Sequence, residues 1–129
     1  MASERNMGIL MYIALAEKGT PTVLSVLVGG AIVTGTTISA GEHLKLDHNA
    51  MNPEGLPVPI AGVPVEEMAE RVREIGRGKD FAELLTMNPQ CLHMRDVRIR
   101  MGQTVLTAPI WSTMIAAIQG YFPGELSAA

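Results

Sequence analysis

A Gly-Gly dipeptide between two β-rich runs constrains the fold of this 129-residue chain more than any other feature of its sequence. The runs are TVLSVLV, which ends at Val28, and AIVTGTTIS, which begins at Ala31. Gly29 and Gly30 accept the positive φ angles of a two-residue hairpin turn, so the stretch predicts a β-hairpin. This turn places six residues on one apolar face, in three opposed pairs: Val28 and Ala31, Val26 and Val33, and Leu24 and Gly35.

The opposite face of the predicted hairpin is mostly polar. It carries Ser25, Thr34 and Thr36, and it ends in an apolar pair beside the turn, Leu27 and Ile32. We therefore expect one face in the core and the other largely in water. Gly35 lies in mid-strand on the core face, where a missing side chain usually marks a sharp bend or the close approach of another backbone. A long, strongly bent hairpin favours a small barrel over a flat sheet.

A helix is predicted before the hairpin. Apolar residues recur at helical spacing in residues 3–18, and Gly19 and Pro21 end that pattern. Directly after the hairpin, residues 40–47 are ambiguous between a short helical turn and a fading strand.

The middle of the chain reads as a loop followed by helices. Prolines and a glycine prevent regular structure in residues 48–63. Residues 64–78 form an amphipathic pattern that opens on a proline, which is favoured in the first turn of a helix. A capping-box pattern then starts a short third helix over residues 80–88. We interpret residues 48–89 as a loop and helical insertion between strands.

The last third of the chain returns to β structure. Apolar residues alternate in residues 91–101, but the buried parity switches near residues 95–96, which predicts a bulge or a sharp corner there. Residues 104–122 supply the last strand or strands, broken at Pro109 and turned at residues 123–124.

Length and pattern together predict one domain, residues 1–129, of the α+β class. We expect a small, strongly bent antiparallel β barrel or sheet, an N-terminal helix and the helical insertion. No apolar run approaches the roughly 18 residues that span a bilayer. The single Cys91 cannot form an internal disulfide, and we expect a cytoplasmic protein. A net charge of −3 argues against nucleic acid as the main partner.

Few residues in the sequence suggest a metal-binding, catalytic or nucleic-acid-binding site. Glu42, His43, Asp47 and His48 come nearest to a metal cluster, but a second ligand group with suitable spacing is missing, and a solvated junction is the simpler interpretation. Cys91 and His93 share a strand parity, yet no orienting group or oxyanion site accompanies them. Arg98 and Arg100 alternate with apolar residues, as on any solvated strand face. We therefore assign no catalytic, cofactor-binding or metal-binding residue and expect no cofactor and no enzymatic activity.

Three segments, in order, resemble the gas vesicle accessory protein U (GvpU) family. They are VGGAIVTGTTISAGEHL at residues 28–44, LHMRDVRI at residues 92–99, and a spaced C-terminal motif. The motif consists of Trp111, Ile115, Ile118, Gly120, Phe122, Gly124, Leu126 and Ser127. About half of the chain is covered by these segments.

The resemblance implies a non-enzymatic cytoplasmic protein that acts on the assembly, surface or clustering of gas vesicles, which are air-filled protein shells. Its expected partners are further copies of itself and the shell or accessory proteins of gas vesicles. Apolar surface and spare strand edges are suited to such contacts. Our candidate structural and interaction residues are Gly29, Gly30, Gly35, Leu27, Ile32, Trp111, Gly120 and Phe122. Trp111 is either an exposed aromatic anchor for a partner or a core residue that closes the barrel.

A looser resemblance leads to the alternative function. A helix, a bent hairpin with a mid-strand glycine, further strands and a short terminal strand is also the element order of Sm-like and SH3-like barrels. That order would make the protein an RNA-binding ring, although the RNA-binding loops of Sm-like proteins are not recognisable in this sequence.

Overall fold

A computed structural model describes residues 4–51, 62–80, 83–84 and 89–125. Within these residues, three helices and five strands follow one another along the chain. In chain order they are α1 (Glu4–Glu17), β1 (Val23–Val28), β2 (Ala31–Thr37), α2 (Ala40–Met51), α3 (Val65–Gly78), β3 (Cys91–Met101), β4 (Thr104–Met114) and β5 (Gly120–Pro123). A short 3-10 turn, Ile115–Ala117, joins β4 to β5.

The strands form one antiparallel sheet in the order β4-β3-β2-β1-β5. The sheet is open, because β4 and β5 each have a neighbour on one side only. The predicted α+β class, the N-terminal helix and the helices between strands are confirmed. Of the two predicted architectures, the bent sheet is present and the closed barrel is not.

The central hairpin has the register that the sequence predicts. Val28 pairs with Ala31, and Leu24 pairs with Gly35. Gly29 and Gly30 have φ angles of 56° and 82°, the positive values that this turn requires. Leu24, Val26 and Val33 are buried, so the predicted core face is confirmed.

Helix α1 covers this core face. Its Ile9 and Leu10 pack against residues from four parts of the sheet region. The partners in this cluster are Leu24, Val26, Val33, Leu92, Met94, Val97, Ile115 and Ile118. We call the opposite side of the sheet, which faces away from α1, the back face.

The back face is less solvated than the sequence predicts. Ser25 and Thr34 are only 1% and 8% exposed. Their hydroxyl oxygens lie 2.8 Å apart, and Ser25 Oγ also donates to the carbonyl oxygen of Gly124 at 2.8 Å. The prediction of a wet face is therefore wrong at these two positions, because the residues that follow β5 cover them.

A bulge in β3 explains the parity switch. Thr34 pairs with Arg98 and Thr36 with Arg95, so β3 holds one more residue than β2 between these pairs. The backbone accommodates this extra residue at Asp96, whose φ is 51°. The predicted bulge at residues 95–96 is confirmed.

Helix α2 corrects one prediction and resolves another. It is continuous over Ala40–Met51, so residues 40–47 are helical rather than a fading strand. Residues 48–51 are also helical, which makes the loop prediction wrong there; residues 52–61 lie outside the described residues. The helical part between β2 and β3 thus begins before residue 48. Helix α2 packs against α3.

Helix α3 ends at Gly78 as predicted, but it begins one residue later than predicted, at Val65, because Pro64 is its N-cap with an extended ψ of 141°. Asp80 Oδ1 accepts the backbone N–H of Glu83 at 2.7 Å, which is the predicted capping contact. Glu83 and Leu84 are helical, and the remainder of the predicted third helix lies outside the described residues.

The predicted break at Pro109 is wrong, since β4 runs through it to Met114. Proline is tolerated in an edge strand, and here it stands opposite the bulged Asp96, where the ladder has no residue pair. The strand ends instead at the 3-10 turn.

Candidate functional sites

The back face brings together side chains from all five strands in two rows. One row, nearest the hairpin turn, crosses the sheet as Gly120, Leu27, Ile32, Arg100 and Val105. The next row crosses it as Phe122, Ser25, Thr34, Arg98 and Thr107. Two adjacent arginines on β3 therefore lie beside apolar side chains in the first row and hydroxyl side chains in the second.

Three of the predicted interaction residues meet in the first row. Leu27 and Ile32 are paired as predicted, and Leu27 is 41% exposed. Gly120 is the neighbour of Leu27 on β5, and a Cβ atom built there would lie 3.4 Å from Leu27 Cδ1. An added Cβ atom at Gly120 would thus make an ordinary van der Waals contact with the leucine, so the two residues are close neighbours at this edge.

Trp111 and Phe122 lie apart from that group. Trp111 pairs with Met94 on the core side of the sheet, where it is partly buried and packs against the core cluster. Phe122 is opposite Ser25 on the back face and is also partly exposed. The role of either residue in binding stays a prediction.

Gly124 and Glu125, which follow β5, lie on the back face. Glu125 Oε1 forms an ion pair with Arg98 Nη2 and lies 3.9 Å from Arg100 Nη2. All three side chains are more than a third exposed, and exposed pairs of this kind contribute about 0–1 kcal/mol. The sequence pattern of alternating arginines identified a solvated face but gave no sign of its acidic neighbour, which is far away in sequence.

A pair of histidines joins α2 to the sheet. The rings of His43 on α2 and His93 on β3 stack with their centroids 4.0 Å apart and their planes at 25°. Ser112 Oγ on β4 bridges them, at 2.7 Å from His93 Nδ1 and 3.0 Å from His43 Nε2. Burial, and to a lesser degree the neighbouring His43, lowers the pKa of His93 to about 4.

We call the stacked His43 and His93, which connect α2 to β3, the clamp. Its geometry is not that of a metal centre. In the part of the chain that the structure describes, no group of three or more His, Cys, Asp or Glu residues could hold a metal ion. Beside the pair, Glu42 Oε1 lies 3.5 Å from Arg95 Nη1, and this ion pair is a second contact between α2 and β3. Sequence reasoning singled out both histidines but not their contact, because it depends on how a helix packs on a distant strand.

An open cleft of about 380 Å³ lies beside this second contact. Its walls combine the charged residues Glu42, Arg95 and Asp96 with the apolar residues Leu46, Ala50, Pro109 and Ile110. The buried Nε of Arg95 has no hydrogen-bond partner among the described groups.

Fold and surfaces define a small α+β protein with an open five-stranded sheet and two unpaired sheet edges. The sequence matches the family described as "Gas vesicle protein GvpU-like" over residues 7–126, which is nearly the whole chain. The chain therefore belongs to the GvpU-like family, a family of gas vesicle accessory proteins and not a known enzyme family. No curated protein and no solved structure matches it. Among the helices that the structure describes, none is both long and apolar enough to cross a membrane.

Proposed function

We propose that the protein is a cytoplasmic gas vesicle accessory factor that binds further copies of itself and other gas vesicle proteins, without catalysing a reaction. Family membership supports the link to gas vesicles. The observation that carries the binding mechanism is the long exposed edge strand β4, which spans 11 residues. An unpaired strand edge offers backbone donors and acceptors to another strand.

The side chains of β4 favour association. Val105 and Leu106 are 54% and 48% exposed, and they point to opposite sides of the sheet. Met101 and Met114, at the two ends of the β3–β4 hairpin, are also largely exposed. Exposed apolar residues along an unpaired edge are typical of a surface that another protein covers. Pro109, which lacks an N–H group, interrupts this edge and separates residues 104–108 from residues 110–114.

Co-flotation tests binding to the shells directly. Purified protein is mixed with intact, stripped gas vesicles, and after slow centrifugation the floating layer is assayed for the protein. We expect recovery in the floating layer with intact vesicles and none with vesicles that pressure has collapsed. Protein that stays in solution with intact vesicles would contradict binding to the shell.

Self-association is tested with two matched variants. Leu106→Glu places a charge on the edge strand, whereas Ile75→Glu places one on a helical side chain that is 60% exposed. Light scattering at tens of micromolar should show an oligomer for the wild type and Ile75→Glu and a smaller species for Leu106→Glu. A wild type that is only monomeric would rule out self-association, and equal effects of both variants would rule out β4 as its site.

The alternative, an RNA-binding ring protein, has one observation in its favour. Arg98 and Arg100 lie next to each other on the back face, where the phosphates of a single strand could contact them. Glu125 already pairs with Arg98, however, and lies close to Arg100. We therefore retain protein binding as the proposed function.

A further inference from the structure

The segment after β5 is held on the back face by contacts that recognise a peptide. Ser25 Oγ donates to the backbone carbonyl of Gly124 at 2.8 Å. Glu125 Oε1 pairs with Arg98 Nη2 and lies 3.9 Å from Arg100 Nη2. One group therefore contacts a main-chain oxygen, and two contact a carboxylate.

The receiving groups are organised by the sheet itself. Because Ser25 gives its single hydroxyl proton to Gly124, the proton between the two hydroxyls, 2.8 Å apart, comes from Thr34. The hydrogen bond from Thr34 to Ser25 Oγ leaves the Ser25 proton directed at the main-chain carbonyl of Gly124, which holds the segment on the back face. Arg98 and Arg100 stand two residues apart on the same strand face, and their guanidinium groups reach one carboxylate.

We propose that this surface of Arg98 and Arg100 is a docking site for an acidic, extended segment of a partner protein, and that the carboxylate of Glu125 is its replaceable internal occupant. The proposal rests on the proposed function and names the chemistry of one partner. Charge complementarity selects the occupant: the two arginines require an anion, and the anion that they already hold is the carboxylate of a peptide side chain.

The internal occupant is weakly held. The ion pairs of its carboxylate are exposed to solvent and screened by salt, so a competing carboxylate need not overcome a strong contact at the arginines. Gly124 can stay in place, since its N–H donates to the carbonyl oxygen of Val23 at 2.8 Å. A partner segment with several carboxylates gains from both arginines. The neighbouring row offers it apolar contacts as well, through the exposed Leu27 and Val105. An acidic segment that also carries an apolar residue fits this arrangement best.

Fluorescence anisotropy with a labelled peptide, Gly-Glu-Leu-Glu-Gly-Glu-Leu-Glu, tests the site, and the same peptide with Gln for Glu is the peptide control. Glu125→Gln removes the internal carboxylate. We then expect the acidic peptide to bind about three- to fivefold more tightly, because an exposed ion pair contributes no more free energy than such a change in affinity corresponds to. Arg98→Gln with Arg100→Gln should weaken binding at least tenfold. The Gln peptide should bind no variant.

The chain offers a matched control for net charge. Glu67 and Arg71 form another exposed ion pair, on α3, at 2.7 Å. Glu67→Gln changes the net charge by the same unit as Glu125→Gln, and Arg71→Gln combined with Arg73→Gln changes it by the same two units as the double arginine variant. Both controls should leave peptide affinity unchanged. Equal effects at the two pairs would overturn the proposal, because they would show attraction by net charge alone.

Two further outcomes are decisive. If the double arginine variant fails to fold, as judged by circular dichroism, the comparison of Glu125→Gln with Glu67→Gln decides, and no gain in affinity for Glu125→Gln overturns the proposal. Labelled oligouridylate that binds in place of the peptide, with the same dependence on Glu125, would also overturn it. Co-flotation that persists while peptide binding fails would reject this site and leave the proposed function standing.

Discussion

Gly35 lies where the neighbouring strand β3 comes too close for a side chain. A Cβ atom at this position would lie 2.8 Å from Val97 Cγ2 and 3.0 Å from the carbonyl oxygen of Arg95. The Arg95 carbonyl belongs to the bulge in β3, so the glycine in β2 and the bulge are complementary. The sequence predicted both features separately, but it gave no indication that they face each other.

We predict that Gly35→Val destabilises the protein by about 1–3 kcal/mol, because the added side chain must displace a backbone carbonyl. Urea unfolding of both proteins measures the difference. Gly78→Val is the matched control, since a Cβ atom at Gly78 would meet nothing within 4 Å. Equal losses in the two variants would show that the close approach at Gly35 has no special cost.

The residue scale also shows where sequence reasoning fails. Ser25 and Thr34 alternate with apolar residues and were therefore placed in water, but the two residues that follow β5 cover them. Gly124 is 99 positions from Ser25, and no local pattern reveals such a contact. Leu27 and Ile32 were paired correctly because a two-residue turn fixes the register of its own strands.

Among the elements, α2 departs most from its prediction. Residues 40–47 have no strong helical periodicity, and their ambiguity reflects a helix whose stability comes from packing on α3 and on the sheet. The hairpin and α3 were predictable because their signals are local: a Gly-Gly turn in one, an amphipathic stripe and glycine ends in the other.

The stacked histidines that join α2 to the sheet should make stability depend on pH. His93 has a pKa of about 4 in the folded protein against a reference value of 6.5. The unfolded chain therefore binds more protons between these values, and the stability contributed by His93 is present above pH 6.5 and lost as the pH falls towards 4. The ring is only partly buried, so solvent screening limits the loss to about 1–2 kcal/mol.

Urea unfolding at pH 7 and pH 5 measures this loss. His93→Gln should reduce the difference in unfolding free energy between the two pH values, because the titrating group is gone. Asn49→Gln changes an exposed residue of α2 that does not titrate, and it should keep the wild-type difference. A wild type and His93→Gln variant with the same pH dependence would show that the clamp does not titrate in this range.

At the scale of the whole molecule, the strand order β4-β3-β2-β1-β5 decides which surfaces are available. Within the described residues neither edge strand has a second neighbour. Helix α1 covers one face of the sheet, and α2 and residues 124–125 each cover part of the other. The sequence predicts either a closed barrel or an open sheet and does not distinguish between them. Closure depends on how strongly the sheet curves, which the pattern of residues does not define. Partner choice is likewise a property of surfaces assembled from distant segments.

Salt dependence distinguishes protein binding from RNA binding for the molecule as a whole. An RNA partner would release counterions, so log K would fall with log salt at about −0.7 per phosphate contact. Two contacts at Arg98 and Arg100 would give a slope of about −1.4. Binding to vesicle shells through the apolar edge of β4 should change little over the same range of salt.

We predict that no nucleic acid co-purifies with the protein. The net charge of −3 repels phosphate, aromatic residues that could stack on bases are scarce, and Glu125 competes for the arginines. The absorbance ratio at 260 and 280 nm, taken after a high-salt wash, measures bound nucleic acid. Arg98→Glu with Arg100→Glu is the matched variant and should leave both this ratio and the oligomer size unchanged. Bound nucleic acid that survives the wash in the wild type and is lost in the double variant would establish RNA binding at the back face instead.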